Sequence, residues 1–152
     1  MSEFSRRRFL QVLAAGAATT AAAGALSACS SQNGSSAPEA VGEVTAGNIS
    51  NLQVGTVQSV PGSAVFVGRD SNGVYAMTTT CTHAGCDMAS GQTISTRISC
   101  SCHGSEFDLN GGVVRGPAEN PLVHYAVSVA ADGTITIHGS QEVSASTRTA
   151  VA

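Results

Sequence analysis

Short runs of alternating apolar and polar residues fill the second half of the chain. Residues 64–68 and 74–77 have the pattern of two strands, and residues 70–73 between them form a turn sequence. Residues 122–137 predict a second hairpin that turns at residues 131–133, and residues 93–99 alternate in the same way. After residue 28, no run has the 3.6-residue period of a capped amphipathic helix. The pattern predicts an all-β domain without internal repeats.

Changes in composition divide the chain into four segments. Residues 1–28 are an Ala-rich leader, and residues 29–48 are small and polar with Gly and Pro, which is typical of a flexible linker. Residues 49–139 contain the strand-like runs and are predicted to form one small domain, a size at which cross-links or metals often add stability. Residues 140–152 are rich in Ser, Thr and Ala and are predicted to be a disordered tail.

The leader has the layout of an export signal, with a positive start, an apolar middle and small residues before a cleavage site. Its sequence S-R-R-R-F-L, with the pair Arg6 and Arg7, resembles the twin-arginine signal that exports folded proteins. The run ends L-S-A-C at Cys29, which resembles a bacterial lipobox and predicts lipidation of that cysteine. Residues 9–28 are also just long enough to span a bilayer, so an uncleaved anchor and ordinary cleavage remain as alternatives.

The charge of the chain restricts its partners. The formal net charge is −3 at pH 7, and the leader contributes +2 from three Arg and one Glu, which leaves −5 for residues 29–152. The sequence contains no Lys. An acidic mature chain disfavours nucleic acid and anionic membrane surfaces as partners, and it is compatible with a basic redox protein.

Four of the five cysteines and two of the four histidines lie within residues 81–105. The sequence C-T-H-A-G-C contains Cys81 and His83, and C-S-C-H-G-S contains Cys100 and His103. Two thiolates and two imidazoles form a mixed ligand set for a transition metal. Zinc also accepts two Cys and two His, but the zinc patterns use a different ligand spacing.

This two-loop pattern resembles the Rieske iron–sulfur family. The resemblance implies one [2Fe–2S] cluster in which Cys81 and Cys100 bind one iron and His83 and His103 bind the other. Two thiolates instead of four leave the oxidised cluster neutral, which favours reduction and raises the potential. The resemblance also implies a compact antiparallel fold with a two-loop cluster-binding subdomain.

Cys86 and Cys102 remain, one in each loop. Such an extra pair resembles the disulfide-bearing, high-potential branch found in cytochrome bc-type complexes and implies a disulfide between the loops. The alternative of two free thiols is disfavoured in an exported domain. By the same resemblance, Ser105 donates a hydrogen bond to a bridging sulfide, and residues 116–121 form a proline loop over the cluster. Phe107 stands where those relatives commonly carry Tyr, so a positive but lower potential is expected.

Together these features predict an exported one-electron carrier, held by lipid on the outer face of the cytoplasmic membrane. It would be an oxidoreductase subunit without a catalytic site of its own, and its partner would be a redox protein such as a quinol-oxidising cytochrome bc-type complex. The alternatives are the small Rieske subunit of an exported oxidase resembling arsenite oxidase, or a stand-alone shuttle. An oxygenase component would need a mononuclear iron with two His and a carboxylate, and only His124 and His138 remain for it. Both lie in strand-like runs and are predicted to be ordinary, partly exposed strand residues. A structural lipoprotein with zinc or without metal is the third class.

Overall fold

The computed structural model describes residues 41–151, which form ten strands and one 3₁₀ turn, Ile49–Asn51. The strands are β1 (Glu43–Asn48), β2 (Thr56–Ser59), β3 (Val65–Asp70), β4 (Gly73–Thr78), β5 (Thr93–Ile94), β6 (Ile98–Ser99), β7 (Glu106–Phe107), β8 (Val113–Arg115), β9 (His124–Val129) and β10 (Thr134–Val143). Within these residues, no helix is long and apolar enough to span a membrane. The predicted all-β class is confirmed. The predicted leader, Cys29 and the start of the predicted linker lie outside the described residues.

The strands form two antiparallel sheets. Seven of them make the larger sheet, in the order β1-β10-β9-β4-β3-β2-β5, and β6, β7 and β8 make the smaller one. Both predicted hairpins, β3–β4 and β9–β10, are present in the larger sheet. The side chain of Asp70 closes the first turn by accepting hydrogen bonds from the N–H groups of Asn72 and Gly73. Gly73 is required there because its φ is 142° and an added Cβ would collide with the carbonyl oxygen of Thr149.

The central hairpin β3–β4 is buried on both faces, which explains its nearly continuous apolar sequence. One face carries Phe66, Tyr75 and Met77 into a core that also contains Cys81 and Cys100. The opposite face packs into a second core, which the larger sheet forms from aliphatic side chains and one Tyr: Leu52, Val60, Val65, Val67, Val74, Ala76, Tyr125, Ile135 and Ile137. Each fully buried large apolar side chain contributes roughly 1.5–3 kcal/mol to stability. The hairpin therefore joins the sheet to the segment that carries the predicted ligands.

The alternating run at residues 93–99 forms two short strands in different sheets. β5 pairs with β2 in the larger sheet, and β6 pairs with β7 in the smaller one. The chain therefore crosses between the sheets inside this run. The sequence pattern did not indicate β7 and β8, because strands of two or three residues are too short to show a period.

Both predicted boundaries of the domain are wrong. The linker was predicted to extend to residue 48, but β1 pairs with β10 from Glu43 onward. The tail was predicted to be disordered from residue 140, but β10 continues to Val143 and Thr149 pairs with Val74 on β4. Edge strands and linkers are both rich in small, polar residues, so composition does not distinguish them. Only the pairing with a distant strand shows which one a segment is.

Arg148 fixes the C-terminal segment to both parts of the domain. Its Nε donates to Asp70 Oδ2 and its Nη2 donates to Asn110 Oδ1, each at 2.6 Å. The guanidinium also lies 4.1 Å from the centroid of the Tyr75 ring. Partial burial by itself would raise the pKa of Asp70, but the bonds from Arg148 and from the turn N–H groups outweigh burial and lower it. Asn110 follows β7, so this contact ties the smaller sheet to the central hairpin.

Tyr75 and His124 stack beneath this contact, with ring centroids 6.2 Å apart. Burial raises the pKa of Tyr75 to about 12, and its hydroxyl donates to the carbonyl of Leu109 at 2.8 Å.

His124 was predicted to be a partly exposed strand residue, which is wrong, because it is buried on β9. Burial lowers the pKa of His124, so the neutral ring is expected, with Nδ1–H donating to the carbonyl of Leu122 at 3.1 Å. His138 is partly exposed as predicted and bonds to Ser128.

Replacement of Arg148 is expected to destabilise the domain. In Arg148→Ala, Asp70 and Asn110 lose partly buried, charge-assisted bonds, at a cost of about 1–3 kcal/mol. Arg115→Ala is the matched control, because its pair with Glu106 is exposed and 3.8 Å long and should contribute less than about 0.5 kcal/mol. Thermal unfolding of the purified protein measures both variants. Equal melting temperatures for Arg148→Ala and Arg115→Ala would contradict the role given to Arg148.

Candidate metal centre

Two six-residue loops, residues 81–86 and 100–105, have the same backbone hydrogen bonds. In each loop the N–H of the first residue donates to the carbonyl of the sixth, and the N–H of the fifth donates to the carbonyl of the first. The distances are 2.8 and 2.9 Å in the first loop and 2.8 and 3.0 Å in the second. Antiparallel pairing brackets both loops, Thr80 with Asp87 and Ser99 with Glu106. The site is therefore built from two copies of one turn.

The fifth residue of each loop is a glycine with a left-handed backbone. Gly85 has a φ of 74° and Gly104 a φ of 78°, a region that other residues rarely adopt. An added Cβ would meet no atom within 4 Å at either position, so the requirement comes from the backbone and not from crowding. The repeated glycine is the local sequence signal for this turn.

The predicted ligands separate into buried thiols and exposed imidazoles. Cys81 and Cys100 are 2% and 3% exposed and belong to the core beneath the loops. His83 and His103 are exposed, and their ring centroids lie 4.8 Å apart with the ring planes at 82°. The spacings C-x-H and C-x-x-H thus give two inward sulfurs and two adjacent outward rings. Two thiols and two imidazoles so arranged fit a metal group that takes both ligand types.

A disulfide joins the loops. Cys86 and Cys102 are bonded, with their Cα atoms 6.6 Å apart, and the predicted pairing is confirmed. The sulfurs of Cys86, Cys102 and Cys100 lie within 4.8 Å of one another. These three do not form a second metal site, because a metal needs thiolates and two of the sulfurs are bonded to each other.

The segment 116–121 contacts both loops, as expected of a cover over the site. The N–H of Ala118 donates to Ser105 Oγ at 3.0 Å, and the hydroxyl of Thr82 donates to the carbonyl of Asn120 at 2.6 Å. The sequence did not single out Thr82, and no local signal could have, since its partner lies 38 residues away. The two bonds hold this segment against the loops.

Ser105 and Phe107 lie on the buried side of the second loop. Both side chains are fully buried, and Phe107 packs in the core that contains the two predicted ligand cysteines. Ser105 Oγ accepts a hydrogen bond from Ala118, so its own proton remains free for a second partner. The predicted bond from Ser105 to the cluster stays a prediction, and this geometry is compatible with it. Phe107 supplies no donor at its position.

Comparisons with known proteins agree on the kind of domain. The family model described as "Rieske [2Fe-2S] domain" matches residues 40–127, a range that includes both loops and the segment 116–121. The cytochrome b6-f complex iron-sulfur subunit of Synechococcus sp. (strain WH7803) is 36% identical over 145 residues, covering 84% of this chain and 81% of the relative. The subunit of the same name from Synechococcus sp. (strain RCC307) is 32% identical over 154 residues, covering 90% and 86%.

One solved structure to which this chain is similar is the complex of reduced oxygenase and oxidized ferredoxin in carbazole 1,9a-dioxygenase. A chain of that complex is 25% identical to this one, with a TM-score of 0.50, and the match covers 67% of this chain and 97% of that chain. The likeness supports the antiparallel fold and carries no statement about partners.

Removal of the Ser105 hydroxyl is expected to lower the midpoint potential of the bound cluster. A donor to a sulfide stabilises the extra negative charge of the reduced form, and one bond of 0.5–1.5 kcal/mol corresponds to about 20–65 mV. Ser105→Ala tests this, and Ser101→Ala, an exposed serine in the same loop, is the matched control. Redox titration measures both variants at equal iron content. An unchanged potential in Ser105→Ala would contradict the assigned bond.

Proposed function

Because the chain belongs to the Rieske [2Fe–2S] protein family, we propose that it is the exported, membrane-anchored iron–sulfur subunit of a quinol-oxidising cytochrome bc-type complex. The chain is a Rieske electron-transfer protein that binds one [2Fe–2S] cluster and is related to cytochrome b6-f Rieske subunits. The cluster supplies reversible one-electron chemistry when bound.

The proposed ligands are Cys81 and Cys100 for one iron and His83 and His103 for the other. The observation that supports this assignment best is the separation of buried thiols from exposed, adjacent imidazoles. The apolar core around the two sulfurs excludes water from that side of the site. Both histidine residues are exposed, so a partner can reach them. Electrons therefore enter and leave through the histidine edge.

The surface around this edge favours a quinol as the electron donor. Neither loop contains an Asp, Glu, Lys or Arg side chain. An uncharged tip can enter an apolar pocket without the cost of burying a charge. A quinol hydroxyl bound there would donate a hydrogen bond to a ring nitrogen, which would take the proton as the quinol gives up one electron. The matched subunits of cytochrome b6-f complexes support this choice of partner.

Lipidation at Cys29, after twin-arginine export, would hold the domain on the outer face of the cytoplasmic membrane. The first strand begins at Glu43, so the chain between it and Cys29 spans at most about 50 Å. That reach allows the histidine edge to visit a partner complex within the same membrane. An oxidising compartment on that side is also where the disulfide persists.

Replacement of Cys29 is expected to abolish anchoring. A diacyl group supplies two chains and holds a domain stably, whereas a single chain binds only marginally. Cys29→Ala should yield either uncleaved precursor or protein released from the membrane, and Ser30→Ala should behave as the wild type. Intact mass and membrane fractionation of both variants are the measurements. Unchanged mass and membrane binding in Cys29→Ala would rule out lipidation at this cysteine.

Native purification is expected to identify the partner. If the proposal holds, the protein extracted with mild detergent carries b-type and c-type haem with it, and quinol reduces the [2Fe–2S] cluster, so that the paramagnetic signal of the reduced form appears. Co-purification with arsenite-dependent turnover would instead indicate an exported oxidase, and a protein that purifies alone would indicate a shuttle. Replacement of Cys81 or His83 should abolish the signal in every case. A full Rieske signal in Cys81→Ser would overturn the ligand assignment.

A further inference from the structure

Three sulfur atoms crowd together at the junction of the two loops. The Sγ atoms of Cys86 and Cys102 form the disulfide, and the Sγ of Cys100 lies within 4.8 Å of both. Cys100 is a free thiol, as is Cys81, but Cys81 lies outside this group of three. One of the two predicted thiolate ligands is therefore a close neighbour of a bond that thiolates attack.

We propose that, in a chain that lacks its cluster, Cys100 attacks the disulfide and forms a Cys86–Cys100 bond. The inference rests on the proposed ligand role of Cys100, since iron would otherwise not occupy this sulfur. The new S–S bond forms as the Cys86–Cys102 bond breaks. The proton of Cys100 ends on the sulfur of Cys102, and the number of disulfides is unchanged. No external oxidant or reductant takes part.

Attack at Cys86 is favoured over attack at Cys102 for two reasons. A Cys100–Cys102 bond would close a ring across a single intervening residue, and loops that short are stiff. Attack at Cys86 also releases the sulfur of Cys102, an exposed residue whose thiolate can be solvated as it leaves, whereas Cys86 is only half-exposed. Cys100 is buried, but an intramolecular attack over this distance does not need access to solvent.

The exchange would remove a ligand from the site, because a sulfur in a disulfide cannot bind iron as a thiolate. The order of maturation then becomes fixed. The cluster must occupy Cys100 before the disulfide forms, and a chain oxidised first is diverted into a form that cannot load. A loaded cluster protects the native disulfide by holding the thiol that lies beside it, that of Cys100.

Two full-length variants give a matched test. Cys81→Ser and Cys100→Ser each lack one predicted thiolate ligand, so neither keeps the cluster, and only the first retains the attacking thiol. Both are purified in air, alkylated with N-ethylmaleimide in denaturant and cleaved after Arg. Cleavage at Arg69, Arg97 and Arg115 separates the two loops into different peptides. Mass spectrometry without reduction then locates the disulfide and the alkylated cysteine.

The expected result is loss of the native bond in Cys81→Ser, with a Cys86–Cys100 link and alkylated Cys102. Cys100→Ser should retain Cys86–Cys102 and carry the label on Cys81. The wild-type holoprotein, stripped of iron by a chelator without reductant, should lose the native bond as Cys81→Ser does, and the loaded protein should keep it. A native link with alkylated Cys100 in Cys81→Ser would overturn the inference, and so would a Cys100–Cys102 link.

A failure of this inference can be distinguished from a failure of the proposed function. The paramagnetic spectrum and iron content of the wild-type protein, recorded before chelation, test whether the site binds the cluster. The disulfide map of Cys81→Ser needs no cluster. A failed exchange in a protein with a full Rieske signal therefore contradicts only the inference.

Discussion

The burial of the β3–β4 hairpin on both faces is the constraint on which the rest of the domain depends. Its one face completes the core of the larger sheet, and its other face supports Cys81 and Cys100 through Phe66, Tyr75 and Met77. A small domain has little apolar surface to bury, and this strand pair buries apolar side chains on both of its faces, one in each core. The predicted metal centre is consequently an extension of the folding core, and its sulfur side excludes water for the same reason that the core does.

The site itself is a repeated backbone motif whose copies carry different side chains. The same two hydrogen bonds and the same left-handed glycine shape each loop, yet His83 is the third residue of its loop and His103 the fourth. The disulfide and the segment 116–121 then fix the loops to each other. This separation of backbone and side-chain roles lets two equivalent turns present adjacent histidine rings while both cysteines point inward.

The C-terminal segment connects the central hairpin with the smaller sheet, a role that its Ser-, Thr- and Ala-rich composition did not indicate. Arg148 connects Asp70 on the central hairpin with Asn110 beside the smaller sheet, and it covers the ring of Tyr75. Tyr75 in turn donates to the carbonyl of Leu109 in the same turn as Asn110. The contacts of Arg148 and the bond from Tyr75 thus hold the loop-bearing subdomain against the larger sheet, although Arg148 itself lies far along the chain from either loop.

The sequence by itself determined the all-β class, the two hairpins, the loop positions and the Rieske family, because these depend on local patterns. Turn residues, short alternating runs and the spacing of Cys and His are readable within a few residues. Only the tertiary structure decided that residues 43–48 and 140–151 belong to the domain, that His124 is buried, and that Thr82 bonds to the carbonyl of Asn120. It also placed Cys100 beside the disulfide. Each of these depends on contacts between residues distant in the chain, and small polar residues have the same composition whether they pair at a sheet edge or remain in solvent.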